Sequence, residues 1–325
     1  MRRSIVIAAT AAAAALALAG CGTTEPAADG AAKDDTKGIT LTDASGAEVS
    51  LDGPAKKVVG TEWNVVESLV TLGVDPVGVA DVKGYGTWDT VVPLKNQPKD
   101  IGTRGEPSMD TIASLSPDLI VATTDLPDAA VKQLKKIAPV LEVRSADAAD
   151  PVGRMKENLD LIAEATGTTA KADEAKKAYD AKVAEGRKAL ADAGLAGSKI
   201  AFADGYVASN QVSIRPYTGG SLIGGVNEAL GLKNAWKIGG DKDYGLAATD
   251  VEGLTGLGDV RFAYIGSDSE GSDPFADDLA KNSVWKSLPF VKKGEVHRLP
   301  DGIWMFGGPQ SMESYVDAVV GALTK

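Results

Sequence analysis

Residues 154–193 read RMKENLDLIAEATGTTAKADEAKKAYDAKVAEGRKALADA and form a long helical block. Met155, Leu159 and Ile162 recur at helical spacing, and residues 170–191 are rich in Ala, Lys and Glu, which are good helix formers. Gly167 divides the block into two helices. The second, at about 20 residues, would be ~30 Å long. A helix of that length can cross from one domain to another, so the block predicts two domains joined by one helix.

Short apolar runs alternate with helical patterns on both sides of this block, which indicates parallel strands with crossover helices. Before it, the pattern predicts a hairpin over 38–51, strands at 57–60, 77–80, 119–123 and 140–143, and helices at 65–72, 109–115 and 129–137. After it, the pattern predicts strands at 199–203, 211–214, 262–265 and 295–299, and helices at 221–230, 251–257, 275–281 and 312–323. The expected fold class is therefore α/β, with two Rossmann-like lobes (39–152 and 195–325) joined by the helical block 153–194. Ligands of such lobes bind at the carboxyl ends of strands, so the site is expected in the cleft between the lobes.

Composition excludes several classes of function. The 325 residues include 34 Lys and Arg against 45 Asp and Glu, a formal charge of -11, so no general attraction to nucleic acid is expected. There is one His, His297, and one Cys, Cys21, which excludes an intrachain disulfide and a zinc site built from several His or Cys ligands. His297 lies in a predicted strand and is interpreted as structural. The chain has no Gly-x-Ser-x-Gly elbow, and we expect no catalytic site and no metal ligands from the protein.

The N-terminus has the layout of an export signal. A basic start, Met1-Arg2-Arg3, precedes an uncharged apolar run over 5–19 that ends in Leu18-Ala19-Gly20-Cys21. This ending resembles the lipobox of bacterial lipoproteins, in which the Cys is acylated after cleavage. Residues 1–20 are therefore predicted to be a lipoprotein signal peptide, and 21–38 a flexible tether without a large apolar side chain. The alternative is an ordinary export signal with a Cys there by chance.

Three charged residues near helix starts are candidates for binding. Arg104 lies in the loop before the 109–115 helix, where its planar guanidinium suits paired anionic oxygens; the alternative is a surface Arg paired with Glu106. Asp110 opens that helix, and Glu252 completes a Thr249-x-x-Glu capping box in the second lobe. Both acids could simply cap helices. Their equivalent positions, each before a strand, instead suggest two matched docking points for a basic partner.

Aromatic residues make up only 5% of the chain, yet many fall beside predicted loops. Singly, each is better explained by packing; together they indicate an aromatic-lined cleft. The set is Trp63, Tyr85, Trp88, Tyr217, Trp236, Tyr244, Trp304 and Phe306. Arg215, directly after the 211–214 strand, gives the second lobe its own loop Arg. The glycine-rich segment 302–309 lacks the pattern of a phosphate loop.

The sequence resembles the substrate-binding lipoproteins of iron–siderophore ABC transporters, which are class III substrate-binding proteins. The motifs that carry the resemblance are the lipobox at Cys21, ESLVTLGVDPVGV (67–79), GTRGEPSMD (102–110), LSPDLI (115–120) and WMFGGP (304–309). The resemblance implies that Arg104 contacts the iron-bound oxygens of a siderophore. It implies that Asp110, where the family usually has Glu, and Glu252 dock the permease. Arg215 and Tyr217 fall where second-lobe ligand contacts are common, and Trp63, Trp88, Trp304 and Phe306 would be cleft walls.

The function expected from this resemblance is a receptor held to the cell membrane by the lipid on Cys21, on its extracytoplasmic face. It would bind a ferric siderophore of hydroxamate or citrate–hydroxamate type and deliver it, as a monomer, to an ABC permease and its ATPase. The siderophore itself would hold the iron, so no cofactor is expected. One alternative is a haem or corrinoid receptor of the same fold; the scarcity of His counts against a His-ligated haem, but Tyr217 or Tyr244 could serve as the haem ligand. Alternatives of other classes are a secreted siderophore-processing enzyme and a structural lipoprotein.

Overall fold

A computed structural model describes residues 38–208 and 211–325. The signal peptide 1–20, the lipidation site Cys21 and all but the last residue of the predicted tether lie outside the described residues. The described chain opens with an antiparallel hairpin of β1 (Ile39–Thr42) and β2 (Glu48–Leu51), as expected from the sequence. Its inward side chains Leu41, Val49 and Leu51 are buried in the core of the first lobe.

The first lobe contains a five-stranded parallel sheet in the order β5-β4-β3-β6-β7. Every residue of the central strand β3 and of its neighbours on one side, β6 and β7, is buried, as in a sheet covered by helices on both faces. The elements are β3 (Val58–Gly60), α1 (Trp63–Thr71), β4 (Gly78–Val79), α2 (Val82–Trp88), β5 (Lys99–Asp100), α3 (Met109–Leu115), β6 (Leu119–Thr123), α4 (Asp128–Leu134) and β7 (Val140–Val143). Helix α2 was not predicted, because Gly84 and Gly86 weaken its helical pattern.

Two consecutive helices connect the lobes. They are α5 (Pro151–Thr166) and α6 (Thr169–Asp192), separated by Gly167 in the left-handed region at φ 69°. Helix α6 has 24 residues, which corresponds to ~36 Å. Near its start, Ala172 packs in the core of the first lobe, whereas Tyr179 and Leu190 pack in the core of the second. The helix therefore spans both cores. Within the described ranges, no helix is both long and apolar enough to cross a membrane.

The second lobe contains another five-stranded sheet, in which β10-β8-β11-β12 are parallel and β9 pairs with β8. The strand β9 is antiparallel to β8, whereas the sequence pattern predicted parallel strands. Only two residues, 209–210, separate these strands in the sequence. A parallel pair would need a much longer crossover connection, so the two strands can pair only as an antiparallel hairpin. The elements are β8 (Lys199–Ala208), β9 (Gln211–Pro216), α7 (Leu222–Ala229), β10 (Lys233–Asn234), β11 (Arg261–Ile265), α8 (Ser283–Ser287), α9 (Pro289–Lys292), β12 (Val296–Leu299) and α10 (Pro309–Leu323).

Two predicted α-helices of the second lobe are shorter and irregular. A 3-10 turn at Glu252–Gly256 replaces the predicted helix 251–257. A π-helical turn, Pro274–Asp278, and a 3-10 turn, Leu279–Lys281, replace the predicted helix 275–281. The Thr249 capping box was also wrong. The residue at the cap position is Val251, which makes no side-chain cap bond, and the Gly253 amide donates to Asp250 Oδ1 at 3.1 Å.

Candidate functional site

A cavity of about 370 Å³ lies between the two lobes. It forms where β3 ends in the first lobe and along the β8–β9 hairpin of the second, which agrees with the expectation of a site near strand ends. The lining residues are Glu62, Trp63, Asn64, Trp88 and Arg104 from the first lobe, Asp204, Arg215, Tyr244 and Leu246 from the second, and Trp304, Met305 and Phe306 from the segment before α10. We call this cavity the interlobe cleft.

Arg104 is fixed at the cleft by an acid and an indole ring. Its Nη1 donates to Glu62 Oε1 at 2.9 Å, and its guanidinium carbon lies 3.9 Å from the centre of the Trp63 ring. The alternative pairing with Glu106 is not formed. The side chain is 37% exposed, so N–H groups remain available to a ligand. Because Gly102 adopts φ 97° and bridges to Pro107, the loop closes on itself and projects Arg104 from its tip.

Arg215 has an equivalent arrangement in the second lobe. The antiparallel register places Arg215 opposite Asp204, and its Nε donates to Asp204 Oδ1 at 2.9 Å while Nη2 donates to Oδ2. The buried hydroxyl of Tyr217 also donates to Asp204 Oδ2, at 3.1 Å. Burial raises the pKa of Tyr217 well above its usual range, so its hydroxyl stays a neutral donor. The Arg–acid pair of each lobe is thus held by groups of the same lobe.

An unbroken series of aromatic contacts crosses the cleft. Ring centroids are 4.8 Å apart for Trp63 and Trp304, 5.2 Å for Trp304 and Phe306, and 5.6 Å for Phe306 and Tyr244. Edge-to-face packing of this kind orients the rings. The Tyr244 hydroxyl donates across the lobes to the carboxylate of Asp125. Burial, followed by this hydrogen bond, raises the pKa of Tyr244 above its usual range, so the contact is made by a neutral phenol.

Seven of the ten predicted ligand-binding residues line the interlobe cleft: Arg104, Arg215, Trp63, Trp88, Tyr244, Trp304 and Phe306. The other three do not. Tyr85 is fully buried in α2 and donates to the Val92 carbonyl at 2.6 Å. Tyr217 lies fully buried behind Arg215. Trp236 donates to the Phe202 carbonyl at 2.8 Å and packs against the core of the second lobe. Position beside a loop does not decide which way a ring faces.

The remaining predicted residues lie away from the cleft. Asp110 is exposed in the first turn of α3, and Glu252 is exposed at the start of its 3-10 turn. His297, on β12, has its Nε2 3.2 Å from Glu295 Oε2. Among the residues that the structure describes, no group of three or more His, Cys, Asp or Glu side chains is placed to hold a metal ion.

Sequence reasoning missed the two acids of the cleft, Glu62 and Asp204. Glu62 follows β3 and caps α1 by accepting the Trp63 amide at 2.9 Å. A polar residue at the end of a buried strand was the available signal for it. The cleft also continues into a second cavity of about 740 Å³, which shares Trp88, Asp204 and Arg215 with the first. A ligand larger than the first cavity therefore has room to extend past Arg215.

Two α/β lobes, a helix that spans both cores and an aromatic cleft with an Arg on each side define a two-lobed ligand-binding protein. A family model described as periplasmic binding protein matches residues 58–302, and the chain belongs to this family. The two-lobed fold and the membership of the transporter-receptor group, both expected from the sequence, are thereby confirmed.

Named relatives cover most of the chain. It is 29% identical over 311 residues to the Fe(3+)-citrate-binding protein YfmC of Bacillus subtilis, covering 93% of this chain and 91% of that protein. It is 28% identical over 291 residues to the probable siderophore-binding lipoprotein YfiY of the same organism, covering 86% of each. Among solved structures, the Fe3+-Desferal-bound siderophore-binding protein FhuD of Vibrio cholerae aligns with a TM-score of 0.73 and 26% identity, over 83% of this chain and 98% of that one.

Proposed function

We propose that this protein is a lipid-anchored extracytoplasmic receptor that binds a ferric siderophore of hydroxamate or citrate–hydroxamate type in the interlobe cleft. It delivers the complex to an ABC permease and its ATPase. The observation that carries the proposal is the placement of Arg104 and Arg215 on opposite sides of one aromatic-walled cleft. The relatives named as binding ferric citrate, a siderophore and Fe3+-Desferal support the same ligand class.

The charge of the cleft favours a hydroxamate. Two Arg and two acids line the cavity, so its lining carries no net charge. Three hydroxamate groups neutralise ferric iron, whereas a tris-catecholate complex is strongly anionic. Each guanidinium has five N–H donors, and those not bonded to Glu62 or Asp204 can donate to the iron-bound hydroxamate oxygens. The aromatic rings suit the apolar scaffold of such a ligand.

Anchoring and delivery involve residues outside the cleft. Acyl chains on Cys21 would hold the protein at the membrane by burying methylene groups, each worth ~0.8 kcal/mol. The relative named as a siderophore-binding lipoprotein supports this arrangement. Asp110 and Glu252, both exposed at helix starts in different lobes, would contact basic residues of the permease. A single copy of the chain supplies both lobes of the cleft, so the receptor would act as a monomer.

The experiment that tests the ligand class is a titration of tryptophan fluorescence. Trp63, Trp88 and Trp304 line the cleft and would be quenched by a ferric complex bound there. Ferric ferrioxamine is expected to quench saturably at micromolar concentration or below, and the iron-free siderophore, ferric citrate and a ferric tris-catecholate are expected to bind more weakly. A response to haem or cobalamin alone would replace the ligand class while leaving the fold unaffected. Cleavage of the siderophore during prolonged incubation would favour the enzyme alternative.

A further inference from the structure

A buried polar cluster joins the lobes beside the cleft without lining it. Glu67 lies on α1 of the first lobe, Asp89 follows α2, and Ser311 lies in the first turn of α10. All three residues are fully buried. Glu67 Oε1 accepts the Ser311 amide at 3.0 Å, and Glu67 Oε2 accepts the Ser311 hydroxyl at 2.9 Å. A first-lobe carboxyl is thus bonded to the start of the last helix.

The same carboxyl touches the segment that carries the aromatic wall. A Cβ atom on Gly307 would lie 2.1 Å from Glu67 Oε2, and one on Gly308 would lie 3.2 Å from Oε1. Only glycine therefore lets the backbone approach Glu67 this closely at residue 307. Gly307 directly follows Phe306, and its amide donates to the Trp304 carbonyl at 3.0 Å. The position of Glu67 thus determines where the two cleft rings lie.

Asp89 lies against Glu67 in the same water-free interior. Burial, and next the negative charge of Glu67, raise the pKa of Asp89 to about 10. Burial also raises the pKa of Glu67, but the amides of Gly308 and Ser311 oppose this by donating to its carboxylate. Amides at a helix start stabilise a negative charge. Glu67 therefore keeps the charge, and Asp89 keeps a proton that it donates to Glu67.

The surroundings of Glu67 and Asp89 are compatible with one negative charge and one proton on the two carboxyl groups together. Asp89 Oδ2 is buried without a hydrogen-bond partner, which costs much less for a neutral carboxyl than for a carboxylate. Tyr85 of α2 also faces the pair, and its hydroxyl donates to the Val92 carbonyl. Hydrogen bonds from the Val92 amide and from Tyr85 oppose the rise in the pKa of Asp89 but do not outweigh burial and the charge of Glu67. Neither carboxyl has a salt-bridge partner within residues 38–208 and 211–325. A second negative charge would have no cation to balance it.

We propose that Glu67 is a positioning residue for the interlobe cleft, and that it holds the Trp304–Phe306 wall in place only while Asp89 retains its proton. Loss of this proton to solvent leaves two buried carboxylates side by side. Their repulsion pushes Glu67 on α1 away from Asp89 at the end of α2. The start of α10, which is bonded to Glu67, moves with it and displaces the wall. The effect on ligand affinity rests on the proposed function, whereas the shared proton and its effect on the ligand-free protein do not.

The test uses the full-length chain in detergent and ferric ferrioxamine as the probe, from pH 6 to pH 11. The wild-type Kd is expected to rise about twofold by pH 10, where about half of the molecules have lost the Asp89 proton, and about tenfold by pH 11. The Kd of Asp89→Asn, which keeps a donor but cannot titrate, should stay constant within about twofold. Glu67→Gln should bind more weakly at every pH and show no pH dependence. Glu142→Gln changes a buried acid that lines neither cavity and should keep the wild-type profile.

Measurements without ligand keep the proposal separate from the proposed function. At neutral pH the infrared spectrum of the wild type should contain the C=O band of a protonated buried carboxyl, which falls to about half its intensity near pH 10 and is missing in Asp89→Asn. The tryptophan emission of the wild type should shift over the same range. Identical pH profiles for wild type and Asp89→Asn, or no protonated carboxyl in the wild type at neutral pH, would overturn the proposal. If ferric ferrioxamine does not bind at all, the proposed function fails and the infrared band still decides this question.

Discussion

Replacement of Arg104 by Ala should weaken ferric-hydroxamate binding by roughly 10- to 150-fold. The guanidinium lies over Trp63 with its carbon 3.9 Å from the ring centre and retains N–H groups that face the cleft. Hydrogen bonds from a charged donor contribute about 1.5–3 kcal/mol, and every 1.4 kcal/mol is about tenfold in Kd. Removal of Arg104 also leaves Glu62 without its partner, facing the ligand oxygens. The loss should therefore lie toward the upper end of that range.

A double-mutant cycle with Glu62 separates these two contributions. Glu62→Gln alone should leave the Kd within about threefold, because Arg104 keeps its contact with Trp63 and a repulsive carboxylate is removed. The double variant should recover part of the loss seen for Arg104→Ala. Arg261→Ala, which removes an Arg that lines neither cavity, is the matched control. A Kd for Arg104→Ala within about twofold of wild type, measured by tryptophan quenching, would remove Arg104 from the site.

Two further predictions concern transport and stability. Replacing Asp110 and Glu252 together by Ala should leave the Kd unchanged and reduce cellular uptake of labelled ferric siderophore to the receptor-free level; normal uptake would return both acids to a capping role. Gly186→Ala in α6 should lower the free energy of unfolding by about 1–3 kcal/mol in urea titration, since its Cβ would lie 2.7 Å from a methyl group of α10. The control Gly321→Ala in α10 meets no atom within 4 Å and should instead be neutral or stabilising, because Ala is the better helix former; equal effects would contradict the packing argument.

Sequence pattern predicted the elements whose formation depends on local chemistry. The strands 119–123 and 140–143 are mostly apolar and buried throughout, and α3 has Ser108 as its N-cap, with the Thr111 amide 3.3 Å from its hydroxyl. Where glycines interrupt the pattern, prediction failed. The pattern predicts no helix over Val82–Trp88, where α2 forms, and it predicts an α-helix over 251–257, where the 3-10 turn Glu252–Gly256 forms. In both segments packing against the rest of the lobe, not propensity, determines the backbone.

Sequence reasoning identified the cleft residues whose chemistry alone points to a ligand. It was incomplete for residues whose place in the cleft depends on the three-dimensional structure. Arg104 and Arg215 are natural donors to anionic oxygens, and both line the cleft. Tyr85 and Trp236 are chemically similar to the rings that do line it, but their side chains face the cores. Glu62 and Asp204 were missed because an acid is not expected beside ligand oxygens. Their role is visible only from the distance of each to its Arg.

The two acids explain how an aromatic cleft can hold guanidinium groups ready for a ligand. Arg104 is bonded to Glu62 within the first lobe, and Arg215 is bonded to Asp204 within the second, so neither pair depends on the other lobe. Each Arg is therefore oriented before a ligand arrives, which lowers the entropy cost of binding. The same acids cancel the positive charge that would otherwise attract any anion. For the ferric hydroxamate proposed as ligand, orientation of the two Arg side chains and selection of a neutral iron centre would thus have one physical cause, and the Glu67 contact to Ser311 would add the fixed aromatic wall between the two pairs.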